Sequence, residues 1–147
     1  MARMHFTVGE VEELIPRLEQ IFTDMLQLRA GLRQVEDKLD RAGVKMSRDD
    51  LLESDSGPLE IRQAKAVFRG FYEALSDEID NVRALGGEVK DLDSGLVDFP
   101  GRRGSEEILL CWKLGEKHIG FWHPVDAGFS ARRPIDEQIP RLPQRLD

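Results

Sequence analysis

Apolar side chains in the first third of the chain recur at alternating steps of three and four residues. The positions are Val11, Leu14, Leu18, Ile21, Met25, Leu28, Leu32, Val35, Leu39 and Ala42. This spacing keeps one side of an α-helix apolar over about four heptads, a pattern typical of coiled coils. Thr7 and Glu10 have the spacing of a capping box, which marks a helix start, and Gly43 is suited to end the helix. The pattern therefore predicts one long helix over residues 8–42.

The same periodicity returns after a polar, turn-rich segment that covers residues 43–58. Its apolar positions are Ile61, Ala64, Phe68, Phe71, Leu75, Val82 and Leu85. Pro58 suits the first turn of a helix, where no backbone N–H is needed, and the pair Gly86-Gly87 stops helical structure. A second helix is therefore predicted over residues 58–85.

Two helices with matching apolar sides and a short linker predict an antiparallel helical hairpin that resembles a coiled coil. The first helix is the longer one, so part of it lacks a partner within the chain. Glu78 interrupts the apolar series of the second helix. Its side chain either is buried with a partner or points outward while Ile79 takes its place.

The second half of the chain changes to a period of two, which is typical of strands. The predicted strands cover residues 88–90, 96–99, 108–114 and 117–123. Turns are predicted at residues 93–95 and at residues 101–104. The fold class is therefore α+β, with one domain over residues 1–134 that ends in a small antiparallel sheet of three to four strands. Residues 135–147 carry little pattern and predict a loose C-terminal tail.

Gly115-Glu116 has the composition of a two-residue hairpin turn with glycine first. That turn would pair Trp112 with Ile119, Leu110 with Phe121, and Ile108 with His123. His123 would then lie on the side of the sheet that packs against the helices. Trp122, Leu109 and Cys111 would form a second apolar side, which is expected to need cover.

Charge and composition exclude several classes of protein. The net charge is −7, and acidic residues are spread over both halves, so no basic surface for nucleic acid is expected. No apolar run is long enough to span a membrane, and the first residues show no secretory signal. The single cysteine cannot form an internal disulfide, which fits a cytoplasmic protein.

Four segments of the chain resemble a known family in their order and spacing. They are FTVGEVEELIPRL, EVKDLDSGLVDFPGRR, CWKLGE and FWHPVDAGFSARRP. The family is bacterial and is known as domain of unknown function 2203, and the resemblance covers residues 5 to about 134. It implies a small cytoplasmic protein and supports the order of elements above. It implies no activity and no catalytic residues.

The candidate chemistry lies around the predicted last strand. His123 and Asp126 form a His-x-x-Asp that could bind a divalent metal, with Asp98 and Glu116 as possible neighbours. The alternative is a histidine that is hydrogen bonded to a turn carboxylate. Cys111, in mid-strand, is expected to be inert packing. Ser130 completes the residue types of a hydrolytic triad, but no nucleophile motif precedes it.

Two arginine pairs are candidate ligands for phosphate or carboxylate groups. Arg102-Arg103 lies in a predicted turn, and Arg132-Arg133 precedes a proline. The simpler interpretation is that both pairs contact acidic residues of the same chain.

The sequence leaves two main functions open. The first is a non-enzymatic interaction or scaffold protein that forms a homodimer through its helices and its second sheet side, where Trp122 would lie. The alternative is a metal-dependent or small-molecule enzyme with a site near Asp98, Arg102, His123 and Asp126. RNA binding by the hairpin is a third hypothesis, which the acidic helices disfavour.

Overall fold

The structure, a computed structural model, describes residues 5–47, 50 and 57–142. Two long helices precede a five-stranded antiparallel sheet, which confirms the α+β fold class. The helices are α1 (Val8–Arg41) and α2 (Leu59–Leu85). The strands are β1 (Glu88–Asp91), β2 (Leu96–Arg103), β3 (Glu106–Lys113), β4 (Phe121–Pro124) and β5 (Arg133–Pro134), with a short 3-10 helix at Phe129–Ala131. The fifth strand, of two residues, is the one that the sequence pattern misses.

The chain divides into two compact units. One consists of the chain up to Phe22 and from Asp80 onward, and the other is Thr23–Ile79. The helices α1 and α2 are each continuous through this boundary. No helix among the described residues is long and apolar enough to cross a membrane.

The helix ends lie where their local signals predict them. The Thr7 N–H donates to Glu10 Oε1 at 2.8 Å, and the Glu10 N–H donates to Thr7 Oγ1 at 3.2 Å, which completes the capping box. Gly43 has a φ of +73°, and the next amide donates to the Leu39 carbonyl at 2.9 Å. Gly86 ends α2 in the same way, with a φ of +102°.

The five strands follow one another across the sheet in chain order, and each pair is antiparallel. The turn between β2 and β3 lies at Gly104-Ser105, so the turn predicted over residues 101–104 starts too early in the chain. The reason is that Pro100 and Gly101 still pair with β3, opposite Leu109 and Ile108. Strand β2 is therefore longer than predicted.

The core of the first unit lies between the first half of α1 and one side of the sheet. The rings of Phe22 and Trp112 are 5.7 Å apart, and those of Phe6 and Phe99 meet edge-on at 5.4 Å. The buried residues of α1 here are Val8, Val11, Ile15, Leu18, Ile21 and Phe22. The buried residues of the sheet on this side are Val97, Phe99, Ile108, Leu110, Trp112 and Trp122. Burial of these apolar side chains favours folding of the unit.

The predicted register of β3 and β4 is wrong by one residue. Trp122 pairs with Leu110, and His123 pairs with Leu109. Since side chains alternate along a strand, this shift exchanges the two sides of β4. Trp122 lies on the packed side, and His123 lies on the side away from α1.

The cause of the shift is a wider connection between β3 and β4. Two carboxylates accept hydrogen bonds from backbone amides at this connection. Glu116 Oε1 accepts from the N–H of Lys113, the last residue of β3, at 2.7 Å, and Glu12 Oε2 accepts from the Ile119 N–H at 2.9 Å. The Glu116 carbonyl also accepts from the Trp112 indole at 3.0 Å. Residues 114–120 therefore form a loop instead of the predicted two-residue turn.

The first turn of α1 donates hydrogen bonds to the C-terminal segment. The Val8 N–H donates to the Pro140 carbonyl at 3.0 Å, and the Gly9 N–H donates to the Arg141 carbonyl at 2.7 Å. The first amides of a helix have no partner within it, so these carbonyls satisfy donors that would otherwise need water.

The described part of the predicted loose tail, residues 135–142, is instead fixed by contacts with the rest of the first unit. Ile139 is buried, and the Gly104 N–H donates to the Gln138 carbonyl at 3.1 Å. The rest of the predicted tail, residues 143–147, lies outside the described residues.

In the second unit the two helices run antiparallel. Gly31 of α1 lies so close to the Phe71 ring of α2 that a Cβ at this position would be 2.6 Å from the ring. Nearer the start of α1, Asp24 shares a cavity of about 520 Å³ with Glu78 of α2. Glu78, the exception in the apolar series, is half-buried there.

Candidate metal site

Three neighbouring strands bring an aspartate, a cysteine and a histidine together on the side of the sheet away from α1. Asp98 of β2 pairs directly with Cys111 of β3, and His123 of β4 pairs with Leu109, two residues along from the cysteine. The carboxylate, thiol and imidazole ligand atoms lie within 4.8 Å of one another. All three residues are buried, with Asp98 exposed by 4% and the other two by 1%.

The two ring nitrogens of His123 face hydrogen-bond acceptors. Nδ1 lies 2.9 Å from the Pro124 carbonyl oxygen, which can only accept, so Nδ1 carries a proton. Nε2 lies 3.0 Å from Asp98 Oδ2. One further positive centre is needed between this nitrogen and the carboxylate. It is either a proton shared by the pair or a metal ion bound by both.

Burial governs the chemistry of Cys111. It raises the pKa of the Cys111 thiol from 9.0 to about 11, although a contact with the Arg132 guanidinium acts in the opposite direction. Without a metal the thiol is therefore protonated and a poor nucleophile at neutral pH. A metal ion would displace the proton, since metals bind the thiolate.

Arg132 closes one edge of the cluster. Its Nη2 donates to the Cys111 carbonyl at 3.0 Å and to Glu116 Oε1 at 2.6 Å. The guanidinium lies between the rings of Phe121 and Phe129, at 4.3 and 4.7 Å from their centres. These contacts fix the segment after β4 over this side of the sheet.

A cavity of about 150 Å³ opens directly onto the three side chains. Its walls also include Leu96, Leu109, Val125, Ala127, Gly128 and Phe129, and Lys90 is its basic residue. Part of this wall comes from residues 125–129. The chain itself therefore supplies some of the cover that the sequence interpretation assigned to a partner.

The structure unites some of the predicted site residues and separates others. Asp98 and His123 are in contact, as the metal hypothesis requires. Asp126 lies in an exposed turn after β4 and is not a member of the cluster. Glu116 contacts Arg132 instead of the histidine. Cys111, which the sequence interpretation treated as packing, takes the position expected for Asp126.

The arginine pairs and Trp122 belong to other contacts. Arg103 forms an ion pair with Asp136 at 2.8 Å and lies over the Trp122 ring, and Arg133 covers the same ring. Arg102 is exposed. One arginine of each pair, Arg103 and Arg132, therefore contacts an acidic residue of the same chain, as the simpler interpretation expects. A signal for Cys111 was nonetheless present, because alternation along β2 and β3 places it opposite Asp98 once their pairing is known.

Comparison with known proteins gives a family and nothing further. A family profile described as "Uncharacterized conserved protein (DUF2203)" matches residues 4–135. The chain belongs to DUF2203. No curated protein and no solved structure matches it. The family membership agrees with the resemblance of the sequence motifs and assigns no activity, so function has to be argued from the cluster.

Proposed function

We propose that this DUF2203 protein binds one divalent transition-metal ion through Asp98, Cys111 and His123. The observation that carries the proposal is the arrangement around His123. The Pro124 carbonyl accepts the proton on Nδ1, so Nε2, which faces the Asp98 carboxylate, is the ring nitrogen available to a metal ion. A backbone carbonyl that orients a histidine in this way is the usual outer contact of a metal-binding imidazole.

The ligand types favour zinc among the common metals. A thiolate, an imidazole and a carboxylate suit Zn²⁺, whereas Mg²⁺ and Ca²⁺ prefer oxygen ligands alone. One thiolate and one carboxylate also balance the charge of a divalent ion. Burial then favours the bound form, because a neutral complex avoids an unpaired charge in the interior.

The distances are close to those of a tetrahedral site. Usual zinc bond lengths give separations of roughly 3.3–3.5 Å between ligand atoms. The histidine and aspartate atoms are 3.0 Å apart, and all three ligand atoms lie within 4.8 Å of one another. Side-chain movements of about 1 Å would bring the ligand atoms to these separations.

Three protein ligands and an adjacent cavity are the composition of a catalytic zinc site, in which an external molecule occupies the fourth position. The proposal therefore favours the enzyme hypothesis, with a metal-dependent reaction on a small molecule. It also places the protein in the cytoplasm, where a single thiol stays reduced.

Cobalt(II) titration tests the proposal directly. Cys111 is the only cysteine, so a thiolate-to-cobalt charge-transfer band can come from this site alone. We expect the band in the wild type and its loss in Cys111→Ser. His123→Gln and Asp98→Asn should lower the affinity by at least about 100-fold. Metal analysis of untagged protein should find bound zinc.

Two variants serve as matched controls. His118→Gln removes an exposed histidine, and Asp126→Asn removes the carboxylate that the sequence alone assigned to the metal. Both should bind cobalt as the wild type does. Urea unfolding in the presence of a chelator shows whether each variant is folded. A folded wild type without the band, or a band lost in Asp126→Asn, would contradict the proposal.

Homo-oligomerisation through the helices is a second proposal. Leu28, Leu32 and Val35 of the heptad series are only half-buried, whereas the series from Leu18 to Met25 is fully buried. Such a partly covered seam supports a coiled-coil contact with a second copy. Sedimentation equilibrium should then show a dimer at tens of micromolar that Leu32→Glu dissociates and the exposed Ala30→Glu does not. A clean wild-type monomer would count against it.

A further inference from the structure

We infer that the fourth position of the metal site takes the carboxylate of a short monocarboxylic acid of two to four carbons. This inference rests on the proposed function, because the metal supplies the bond to the carboxylate oxygen. It adds the chemical class of the ligand, which the three protein ligands alone do not define.

The size of the cavity sets the limit on the ligand. Its volume is about 150 Å³, and a protein cavity of about this volume holds a molecule the size of benzene. About six non-hydrogen atoms therefore fit. Acetate, propionate and butyrate have four, five and six such atoms, whereas nucleotides and sugars are excluded.

The charges around the cavity favour a single negative charge. A divalent metal with the Asp98 carboxylate and the Cys111 thiolate is neutral overall. Lys90 then adds one positive charge at the cavity wall. Glu88 lies 3.4 Å from this ammonium, but an exposed ion pair of this kind is weak, so a carboxylate held at the metal can replace Glu88 as its partner.

The walls of the cavity favour an alkyl chain behind the charged group. Leu96, Leu109, Val125 and Phe129 offer apolar surface and no hydrogen-bond donors from their side chains. A phosphate-like dianion would place excess charge and unbonded oxygens against these walls, which is costly. A monocarboxylate instead places its oxygens at the metal and its methylene groups against the apolar side chains.

The test uses the full chain loaded with cobalt(II), whose visible bands change when an external ligand binds. Acetate, propionate and butyrate are titrated in turn. Each added methylene should tighten binding about fourfold, from the free energy of burying one CH₂. Hexanoate exceeds the cavity and should bind more weakly than butyrate. Lys90→Met should weaken butyrate binding about threefold to fivefold and leave cobalt affinity unchanged.

Lys117→Met is the control for this variant, because Lys117 pairs with Glu19 and does not line the cavity. It should change neither cobalt affinity nor butyrate binding. If cobalt does not bind, the proposed function fails and this inference fails with it. If cobalt binds but butyrate leaves the bands unchanged, or methylphosphonate binds more tightly than butyrate, the inference alone is overturned.

Discussion

Cys111 should make the stability of the metal-free protein depend on alkaline pH in a defined window. Burial raises the pKa of its thiol from 9.0 to about 11 in the folded protein. Because the folded pKa is the higher one, the stabilising contribution is complete below 9 and is lost as the pH rises toward 11. Two pKa units correspond to about 2.7 kcal/mol, so the free energy of unfolding should fall by about 2–3 kcal/mol from this group.

The assay compares urea unfolding of the wild type and Cys111→Ala, with a chelator present, between about pH 8 and about pH 11. Other groups that titrate in this range, such as tyrosine and lysine, contribute equally to both proteins and cancel in the difference. The missing sulfur adds an offset that does not depend on pH. A difference that stays constant across the window would refute the reasoning. A difference that changes in the opposite sense would show that Arg132 stabilises the thiolate more than burial opposes it.

Substitutions at three further positions probe the packing of the fold by urea unfolding. Gly87→Ala should destabilise by about 1–3 kcal/mol, since its Cβ would lie 2.7 Å from the Phe99 ring and the glycine does not have a positive φ. Arg132→Met should cost about 2–3 kcal/mol, because it removes the charged hydrogen bonds from Nη2 to the Cys111 carbonyl and to Glu116; Arg132→Lys should cost less, and equal losses would contradict a role for these bonds. In the second unit the Ser47 amide and the Lys65 ammonium, 2.9 Å from Asp50 Oδ1, lower the pKa of the Asp50 carboxyl. Lys65→Met should therefore destabilise the protein and raise that pKa, so acid should reduce stability by less than in the wild type.

The sequence predicts the helices almost to the residue, because the signals that define them are local. The capping box at Thr7 and Glu10 and the glycine at position 43 act within one turn of the helix that they end. The heptad spacing then needs no knowledge of the partner surface. The division into helices and strands follows from the change of period for the same reason.

The register of the sheet could not be predicted in this way. Gly115-Glu116 is a good local turn signal, but the competing loop is held by Glu12, which is distant in sequence and lies on α1. The fixed position of the C-terminal segment could not be predicted for the same reason, because its carbonyls accept hydrogen bonds from amides at the start of α1. Contacts between distant residues decide both features, and one sequence contains no pattern that reveals them.

The one-residue shift in register also changes the observations that support each functional hypothesis. In the predicted register Trp122 belongs to an uncovered apolar side, which favours a partner, and His123 is packed against the helices. In the structure the tryptophan is packed and the histidine meets Asp98 and Cys111. The segment that follows β4, fixed by Arg132, covers part of the remaining apolar surface. The sheet side that suggested a partner is therefore partly covered by the chain itself, and the same shift brings together the three ligands on which the metal proposal depends.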